Sequence, residues 1–384
     1  MTTIREYLRR RFAPIQPLAA GVYHYISPPD DPRNYRLHLR LETDGNGILI
    51  VNAATVLHLN QTAAEYAYHF VQQTPGEQIV RSMSERYRVR REQALQDYRD
   101  FAERLDTLIN TPDLDPVEFL GFDRRLPYAG DISAPYRLDC ALTYRLPPTA
   151  DPSAAPTKRV TRELTTPEWE CILDKAWQGG IPHVVFTGGE PTLRDDLPLL
   201  IAHAEANGQV SGLLTDGARL ADAAYLDTLL QTGLDHLLIV LQPENEQIWK
   251  GLQNALAADI FVAVHFTLTP QNSSGAAALL ERLTEMGVKA ISLSAVDATL
   301  RNTLSNLRDH AAALQLSLIW DLPVPYSALH PVALEVEDAE RAEGAGRAWL
   351  YVEPDGDVLP AQGVNQVLGN LLSETWESLW KKAN

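Results

Sequence analysis

The residues whose types and spacing could do chemistry converge on one stretch, 183–191, which reads HVVFTGGEP. Its apolar run predicts a buried strand, and Gly188 and Gly189 let the backbone turn sharply and approach a ligand closely. Glu190 follows at the carboxyl end of that strand, where ligands collect in parallel α/β proteins, and Pro191 helps to end the strand. Because a carboxylate here could pair with the ammonium group of a ligand, the stretch predicts a binding site.

Three histidines, His183, His236 and His265, fall at or within predicted strands. With a carboxylate such as Glu190 they could form a metal site, since imidazole and carboxylate are both zinc ligands. A structural role is more common for such histidines, and no H-x-H or H-E-x-x-H spacing supports a metal. The G-x-S-x-G, Walker and G-x-G-x-x-G motifs are absent from the sequence.

The overall charge and the cysteine content exclude several classes of protein. A net charge of −17 over 384 residues argues against nucleic acid or an anionic membrane as the main partner. The sequence has neither a secretory signal nor an apolar stretch long enough to span a bilayer, so we expect a cytoplasmic protein. The two cysteines, Cys140 and Cys171, support neither a disulfide framework nor a cysteine-ligated metal site.

Strand and helix patterns that would position the stretch alternate at roughly 25-residue intervals from residue 136 onwards. The predicted strands are 136–144, 183–187, 210–215, 236–241, 261–268 and 288–294, and the intervening helices begin near residues 167, 195, 222, 245, 274 and 300. Such repeated units predict an α/β fold with a parallel barrel or a partial (β/α)6 barrel. A doubly wound open sheet is the alternative.

The chain before and after these units has a different character. Strands at 35–41, 48–51 and 55–59, followed by three helices up to about residue 108, predict an N-terminal α+β winged-helix-like domain. Asn60 or Thr62 can cap the first of these helices. Near the end of the chain, two short strands flank the turn 353–356, and a closing helix follows, which predicts a small β-hairpin/helix extension.

Together these residues resemble the radical S-adenosylmethionine (SAM) superfamily, in its peptide-modifying branch with a C-terminal SPASM or twitch extension. The motifs occur in the family's order: Thr143-Tyr144-Arg145, Leu164-Thr165, Thr187 to Pro191, Thr215-Asp216-Gly217, Thr269 with Asn272, Pro354 to Asp357, and Leu368-Gly369-Asn370. The resemblance implies a partial barrel and a SAM site, whose residues would be Gly188, Gly189, Glu190, Pro191, Thr215 and Asn272.

The N-terminal domain resembles the PqqD-like domains that recognise leader peptides in ribosomal-peptide maturation systems. The resemblance rests on residues 47–51 and 56–60, which are mostly apolar. It implies that a leader or precursor peptide binds as an added strand on the sheet edge, against the third helix. A winged-helix subdomain without a partner is the alternative.

The sequence departs from the family at the cluster ligands. Where the family carries three cysteines spaced C-x3-C-x2-C, this chain has Leu146, Ala150 and Ser153. Leucine and alanine cannot coordinate iron, and serine is a poor substitute for thiolate. In the extension, Glu343 and Ala361 replace further cluster ligands. We therefore expect no iron–sulfur cofactor and no metal, and SAM binding only if it survives the loss of the cluster.

The predicted layout is a PqqD-like peptide-recognition domain (1–110), a linker (111–134), a radical-SAM-like partial barrel (135–325) and a degenerate SPASM/twitch-like extension (326–384). The leading hypothesis is a pseudoenzyme of peptide maturation that serves as a scaffold for a peptide or for a partner maturase. The alternative is an enzyme with non-radical chemistry in the barrel mouth, using a retained SAM, nucleotide or metal pocket.

Overall fold

The computed structural model describes residues 17–383 except 29, 88, 112–113, 123–124, 149 and 336–341. The basic start of the chain, residues 1–14, lies outside the described residues. The chain divides into two compact units, Met1–Ser133 and Ala134–Asn384. Within the described ranges, no helix is both long enough and apolar enough to cross a membrane.

The first unit combines an antiparallel sheet, with strands in the order β1-β2-β3-β4, and helices. The strands are β1 (Gly21–Ile26), β2 (Arg36–Leu41), β3 (Gly47–Val51) and β4 (Thr55–Leu59), and the helices are α1 (Gln61–Val71), α2 (Gly76–Tyr87), α3 (Arg91–Asn110) and α4 (Pro116–Leu120). Asn60 caps α1 as predicted, because its Oδ1 accepts the backbone N–H of Ala63 at 3.0 Å.

Strand β1 differs from the sequence prediction, which gives the sheet no strand before residue 35. It pairs with β2 from Gly21 opposite Leu41 to Ile26 opposite Arg36. Its side chains are nearly all half-buried, and its sequence GVYHYI lacks the alternation of apolar and polar residues that RLHLRL shows in β2. A pattern search based on that alternation therefore misses it.

Part of the predicted linker 111–134 packs on the first unit. The short helix α4 lies within it, and Asp115 caps that helix by accepting the backbone N–H of Val117 at 2.8 Å. The side chains of Leu120 and Phe122 pack against the apolar core of the first unit. This part of the segment is thus packed structure.

The second unit is built on a large, mostly parallel sheet with helices between its strands. The strands are β5 (Arg137–Thr143), β6 (His183–Gly188), β7 (Val210–Thr215), β8 (His236–Val240), β9 (Phe261–Leu268), β10 (Ala290–Ala295), β11 (Ser317–Leu318), β12 (Trp349–Val352), β13 (Asp357–Leu359) and β14 (Gly369–Asn370). The helices are α5 (Thr166–Gln178), α6 (Leu197–Asn207), α7 (Ala223–Gln231), α8 (Glu246–Ala257), α9 (Ala276–Glu285), α10 (Arg301–Ala313) and α11 (Trp376–Ala383).

The strand order of this sheet tests the doubly wound alternative. From β5 to β11, each strand pairs in parallel with the next one along the chain, and the order does not reverse. A doubly wound sheet requires such a reversal, so the alternative prediction is wrong. Because all these strands run the same way, their carboxyl ends lie along one edge of the sheet.

The C-terminal hairpin is more than the appended element that the sequence predicts for 326–384. Its first strand, β12, pairs in parallel with β5, with Trp349 opposite Arg137. The second strand, β13, then pairs antiparallel with β12, so the predicted hairpin itself is confirmed. The hairpin extends the main sheet because β5 offers an unpaired edge on the side away from β6.

The segment 319–326 lies across the inner face of the sheet, the face formed by Val185, Leu214, Leu238, Ala263 and Ala290. Ile319 and Leu322 pack against these side chains. The hydroxyl of Thr187 donates to the carbonyl of Pro323 at 2.6 Å, and the Tyr326 N–H donates to the carbonyl of Gly188 at 2.8 Å. These contacts carry the segment to the carboxyl end of β6.

Candidate functional site

The two glycines after β6 are required by the close approach of two strand ends. A Cβ atom on Gly188, whose φ is +124°, would lie 2.2 Å from the Thr143 carbonyl oxygen, and one on Gly189 would lie 2.2 Å from that of Arg145. The backbone N–H groups of Gly189 and Glu190 donate to these two carbonyls at 2.8 Å. Side chains at these positions would force the loops after β5 and β6 apart.

Glu190 is 3% exposed, and both of its carboxylate oxygens are hydrogen-bonded inside the protein. Its Oε1 accepts the N–H of Thr192 at 3.0 Å, the Thr192 hydroxyl at 2.6 Å and the Thr215 hydroxyl at 2.7 Å. Its Oε2 accepts the N–H of Asp216 at 2.8 Å. The structure thus brings Glu190 and Thr215 together, and the carboxylate holds the loops after β6 and β7 in place. Pro191 begins a buried 3-10 turn beside them.

The electrostatics of this carboxylate are unusual. Burial, and then the neighbouring charge of Asp216, raise the pKa of Glu190 to about 7. Burial also raises the pKa of Asp216. Among the described residues, no lysine, arginine or histidine forms an ion pair with either carboxyl. A proton or a cationic ligand would relieve this uncompensated negative charge.

The two carboxyls line a cavity of about 220 Å³ at the carboxyl ends of the strands, which we call the strand-end cavity. Its walls are formed by Leu146, Pro147, Ala150, Gly189, Glu190, Asp216, Val240, Gln242, Asn245, Pro325, Tyr326, Ser327 and Ala328. Leu146 and Ala150, two of the three residues predicted to stand at cluster-ligand positions, line it with apolar side chains. The third, Ser153, is exposed and does not line it.

Three polar residues in the wall of the strand-end cavity are not among the site residues predicted from the sequence: Gln242, Asn245 and Tyr326. Asn245 also caps α8, because its Oδ1 accepts the N–H of Gln247 at 3.0 Å. Both Gln242 and Asn245 follow β8 directly, so a search of every strand's carboxyl end could find them. Tyr326 has no such signal, because segment 319–326 brings it in from the far end of the sheet.

The family resemblance predicts Asn272 in this site, but the structure does not place it in the cavity wall. Its Oδ1 accepts the N–H of Thr269 at 2.8 Å, and its Nδ2 donates to the carbonyl of Thr267 at 3.0 Å. The side chain therefore orders the loop after β9.

The cysteines and histidines lie apart from the strand-end cavity. Cys140 is buried within β5, where burial raises its pKa, and Cys171 is exposed on α5. His183 and His236 begin β6 and β8, at the strand ends opposite Glu190, with 3.3 Å between their Nε2 atoms. His265 bonds instead to hydroxyls on β9 and β10, with its Nδ1 3.0 Å from the Ser292 oxygen. The imidazoles do not form a joint site with Glu190, and no group of three His, Cys, Asp or Glu side chains suited to a metal occurs in the described ranges.

The first unit contains a separate groove of about 390 Å³ between β4 and α3. Its walls include His58 and Leu59 of β4, Asp97, Asp100, Phe101 and Arg104 of α3, and Gly121 and Phe122 after α4. Strand β4 is an edge strand, and the register pairs only its β3 side within the described residues. A free strand edge beside an apolar and acidic groove is suited to an extended peptide.

Comparison with known proteins gives relatives in sequence and in fold, although no family model matches the chain. The chain is 26% identical over 271 residues to a PqqA peptide cyclase of Granulibacter bethesdensis. The matched region covers 62% of this chain and 70% of that protein. It is 26% identical over 279 residues to a PqqA peptide cyclase of Streptomyces rochei, with coverages of 64% and 76%. The crystal structure of Streptococcus suis SuiB bound to precursor peptide SuiA matches with a TM-score of 0.61 at 17% identity, covering 93% of this chain and 88% of that one.

The chain is similar in sequence to PqqA peptide cyclases and in fold to SuiB. SuiB has also been crystallised with S-adenosylmethionine, and that structure matches with a TM-score of 0.56. The likeness to the PqqA peptide cyclases is consistent with the predicted resemblance to peptide-modifying radical SAM proteins. The likeness to SuiB is one of fold and includes the large parallel sheet flanked by helices.

Proposed function

We propose that this protein is a cluster-free relative of the peptide-modifying radical SAM proteins, which acts in peptide maturation as a scaffold for a peptide or a partner maturase. The observation that carries the proposal is the wall of the strand-end cavity. Where thiolates would hold a [4Fe–4S] cluster, the cavity is lined by Leu146 and Ala150, and Ser153 is exposed and does not line it. The main sheet corresponds, in this proposal, to a partial (β/α)6 barrel.

The donor atoms present do not fit an iron–sulfur cluster. Such clusters are held by cysteine thiolates or, at some irons, by histidine. Cys140 is enclosed in β5, Cys171 is on the outer surface of α5, and neither lines the cavity. In this proposal the site therefore carries out no reductive chemistry, and its role is binding.

The peptide would bind to the first unit, as a PqqD-like domain would bind its leader. The free edge of β4 offers backbone donors and acceptors, and the groove against α3 offers Phe101 and Tyr66 to apolar side chains. Two acidic residues, Asp97 and Asp100, stand against one basic residue, Arg104, on the same wall, which favours a peptide with basic residues. Precursor binding by the structural neighbour SuiB is consistent with this role.

Anaerobic reconstitution with iron and sulfide tests the cluster-free claim. We expect no stoichiometric iron, no acid-labile sulfide and no charge-transfer absorbance, because the loop offers no thiolate. A cysteine-complete radical SAM protein reconstituted in parallel serves as the positive control. A near-stoichiometric [4Fe–4S] centre in this protein would refute the proposal.

Amide hydrogen exchange with a probe peptide tests the binding surface. With the PqqA or SuiA precursor peptide at saturation, we expect exchange in Thr55–Leu59 to slow about tenfold or more, because an added strand protects backbone N–H groups. The opposite edge strand, Gly21–Ile26, is the internal control and should not change. Equal protection at both edges, or at neither, would contradict this placement.

A second candidate function rests on the carboxyl pair Glu190 and Asp216. Their uncompensated charge and their place in the cavity wall suit the ammonium group of SAM or of another amino-acid-like ligand. The protein would then be an enzyme with non-radical chemistry, with these carboxyls binding and orienting the ligand. Calorimetry with SAM on the wild type and on Glu190→Gln separates the two functions, since a pure scaffold binds no SAM in either protein.

A further inference from the structure

A second cavity in the unit Ala134–Asn384, of about 280 Å³, lies between β5, segment 321–335 and the turn 361–364. We call it the β5–β12 cavity, because Asp139 of β5 and Trp349 of β12 form one of its walls. Tyr326 separates it from the strand-end cavity and lines both. No sequence motif assigns a ligand to it, and the family resemblance implies that Ala361 in its wall stands where the twitch family carries a cluster ligand.

The charged groups at this cavity are predominantly acidic. Asp139 pairs with Arg137 at 2.6 Å, and Glu335 pairs with Arg159 at 2.9 Å. Arg159 is shared with a further buried carboxylate, Glu353, at 2.7 Å.

The third carboxylate in the wall, Asp321, is exposed and forms no ion pair with the residues that the structure describes. Within those residues, two guanidiniums therefore serve four carboxylates. Burial raises the pKa of Asp139 and of Glu353, and their arginine partners offset this rise only in part.

The other polar groups in the wall also favour a hydrogen-bond donor. The Gln362 side-chain amide donates its N–H to the carbonyl of Val324 at 2.8 Å, which leaves its oxygen available as an acceptor. The imidazole of His330 has no hydrogen bond to the described residues, and burial lowers its pKa to about 4, so it is neutral at pH 7. Trp349, Leu322 and Val364 supply apolar surface for an alkyl chain.

The volume limits the size of the occupant. Pockets for whole drug-sized molecules measure about 300–1,000 Å³, so this cavity suits a group the size of one side chain. We propose that the β5–β12 cavity binds an alkyl guanidinium or alkylammonium group, as carried by an arginine or lysine residue of a peptide or by a small free amine. This site is independent of the proposed scaffold function, because it uses neither Leu146, Ala150 and Ser153 nor the N-terminal groove.

Ligand-observed NMR with three probes tests the chemistry on the full-length protein. We expect n-butylguanidinium to bind at least about tenfold more tightly than its neutral counterpart n-butylurea, and butyrate not to bind. The preference should shrink as salt is added, because the attraction is electrostatic. Acetyl-arginine amide separates the two sources: binding equal to or tighter than that of butylguanidinium supports a peptide residue, and its exclusion supports a free amine.

A matched pair of alanine variants tests the location. Ala361→Leu places methyl groups in the β5–β12 cavity and should abolish butylguanidinium binding, whereas Ala328→Leu does the same in the strand-end cavity and should leave binding unchanged. Circular dichroism checks that both variants fold, and Gln362→Leu, which removes an acceptor, should weaken binding if Ala361→Leu does not fold. The proposal is overturned if butylguanidinium binds no better than butylurea, or if Ala328→Leu and not Ala361→Leu removes binding.

Discussion

Replacing Arg159 by alanine should lower the free energy of unfolding of the second unit by about 3–5 kcal/mol, the cost of removing one partner from a buried ion pair. The Arg159 guanidinium donates to Glu353 at 2.7 Å and to both oxygens of Glu335 at 2.9 and 3.0 Å. Glu353 is only 1% exposed, and its remaining hydrogen bond comes from the Tyr144 hydroxyl. Without Arg159, a buried carboxylate loses its counter-charge.

Arg162→Ala is the matched control for this measurement. Arg162 also makes two hydrogen bonds to one carboxylate, that of Glu168, but its side chain is 52% exposed. Because exposed ion pairs contribute about 0–1 kcal/mol, this variant should unfold close to the wild type in urea followed by circular dichroism. Similar losses in both variants would mean that burial does not set the strength of the Arg159 contacts.

The stability difference between the wild type and Glu190→Gln should depend on pH. The pKa of Glu190 is about 7 in the folded protein and near 4.5 in an unfolded chain, so the folded state retains its proton longer as the pH rises. The contribution of the protonated carboxyl to the free energy of unfolding is fully present below pH 4.5. It is lost as the pH rises towards 7. The expected loss is about 3 kcal/mol, from about 1.4 kcal/mol per pKa unit.

The difference between the two proteins isolates this effect. Buried histidines such as His236 and His265 have lowered pKa values and give the opposite slope in the same window, but they are common to both proteins. Glutamine loses the acceptor for the Asp216 N–H, which costs about 1–3 kcal/mol at every pH. Glu168→Gln is the control, because the pKa of Glu168 is lowered to about 2 and its charge is constant over this range. A pH-independent difference for Glu190→Gln would contradict the prediction.

The sequence predicts the strands of the main sheet from β5 to β10 to within two residues, because each is an apolar run bounded by turn residues. The N-cap of α5 shows that the sequence can distinguish between two adjacent candidate residues. Proline at residue 167 favours Thr166 as the cap, but the structure uses Thr165, whose N–H donates to the Glu168 carboxylate at 2.9 Å. The spacing T-x-x-E selects Thr165 through the capping box.

The features that the sequence does not predict depend on contacts between distant residues. The pairing of β12 with β5 and the entry of Tyr326 into the cavity wall leave no local pattern. For the candidate site, Glu190 and Thr215 could be brought together because they lie at the carboxyl ends of neighbouring parallel strands. Asn272 could not be placed by the same reasoning, since a residue beyond a strand end can bond its own loop instead.

The place of β12 has a consequence for biosynthesis. Strand β12, which pairs with the edge of β5, is synthesised roughly 200 residues after β5. The edge of β5 therefore stays unpaired during more than half of translation. An exposed edge of a hydrophobic strand invites pairing with other chains. Ribosome-bound intermediates should therefore need a chaperone until Trp349–Val352 has emerged, and chains truncated before that point should precipitate although most of the sheet has been synthesised.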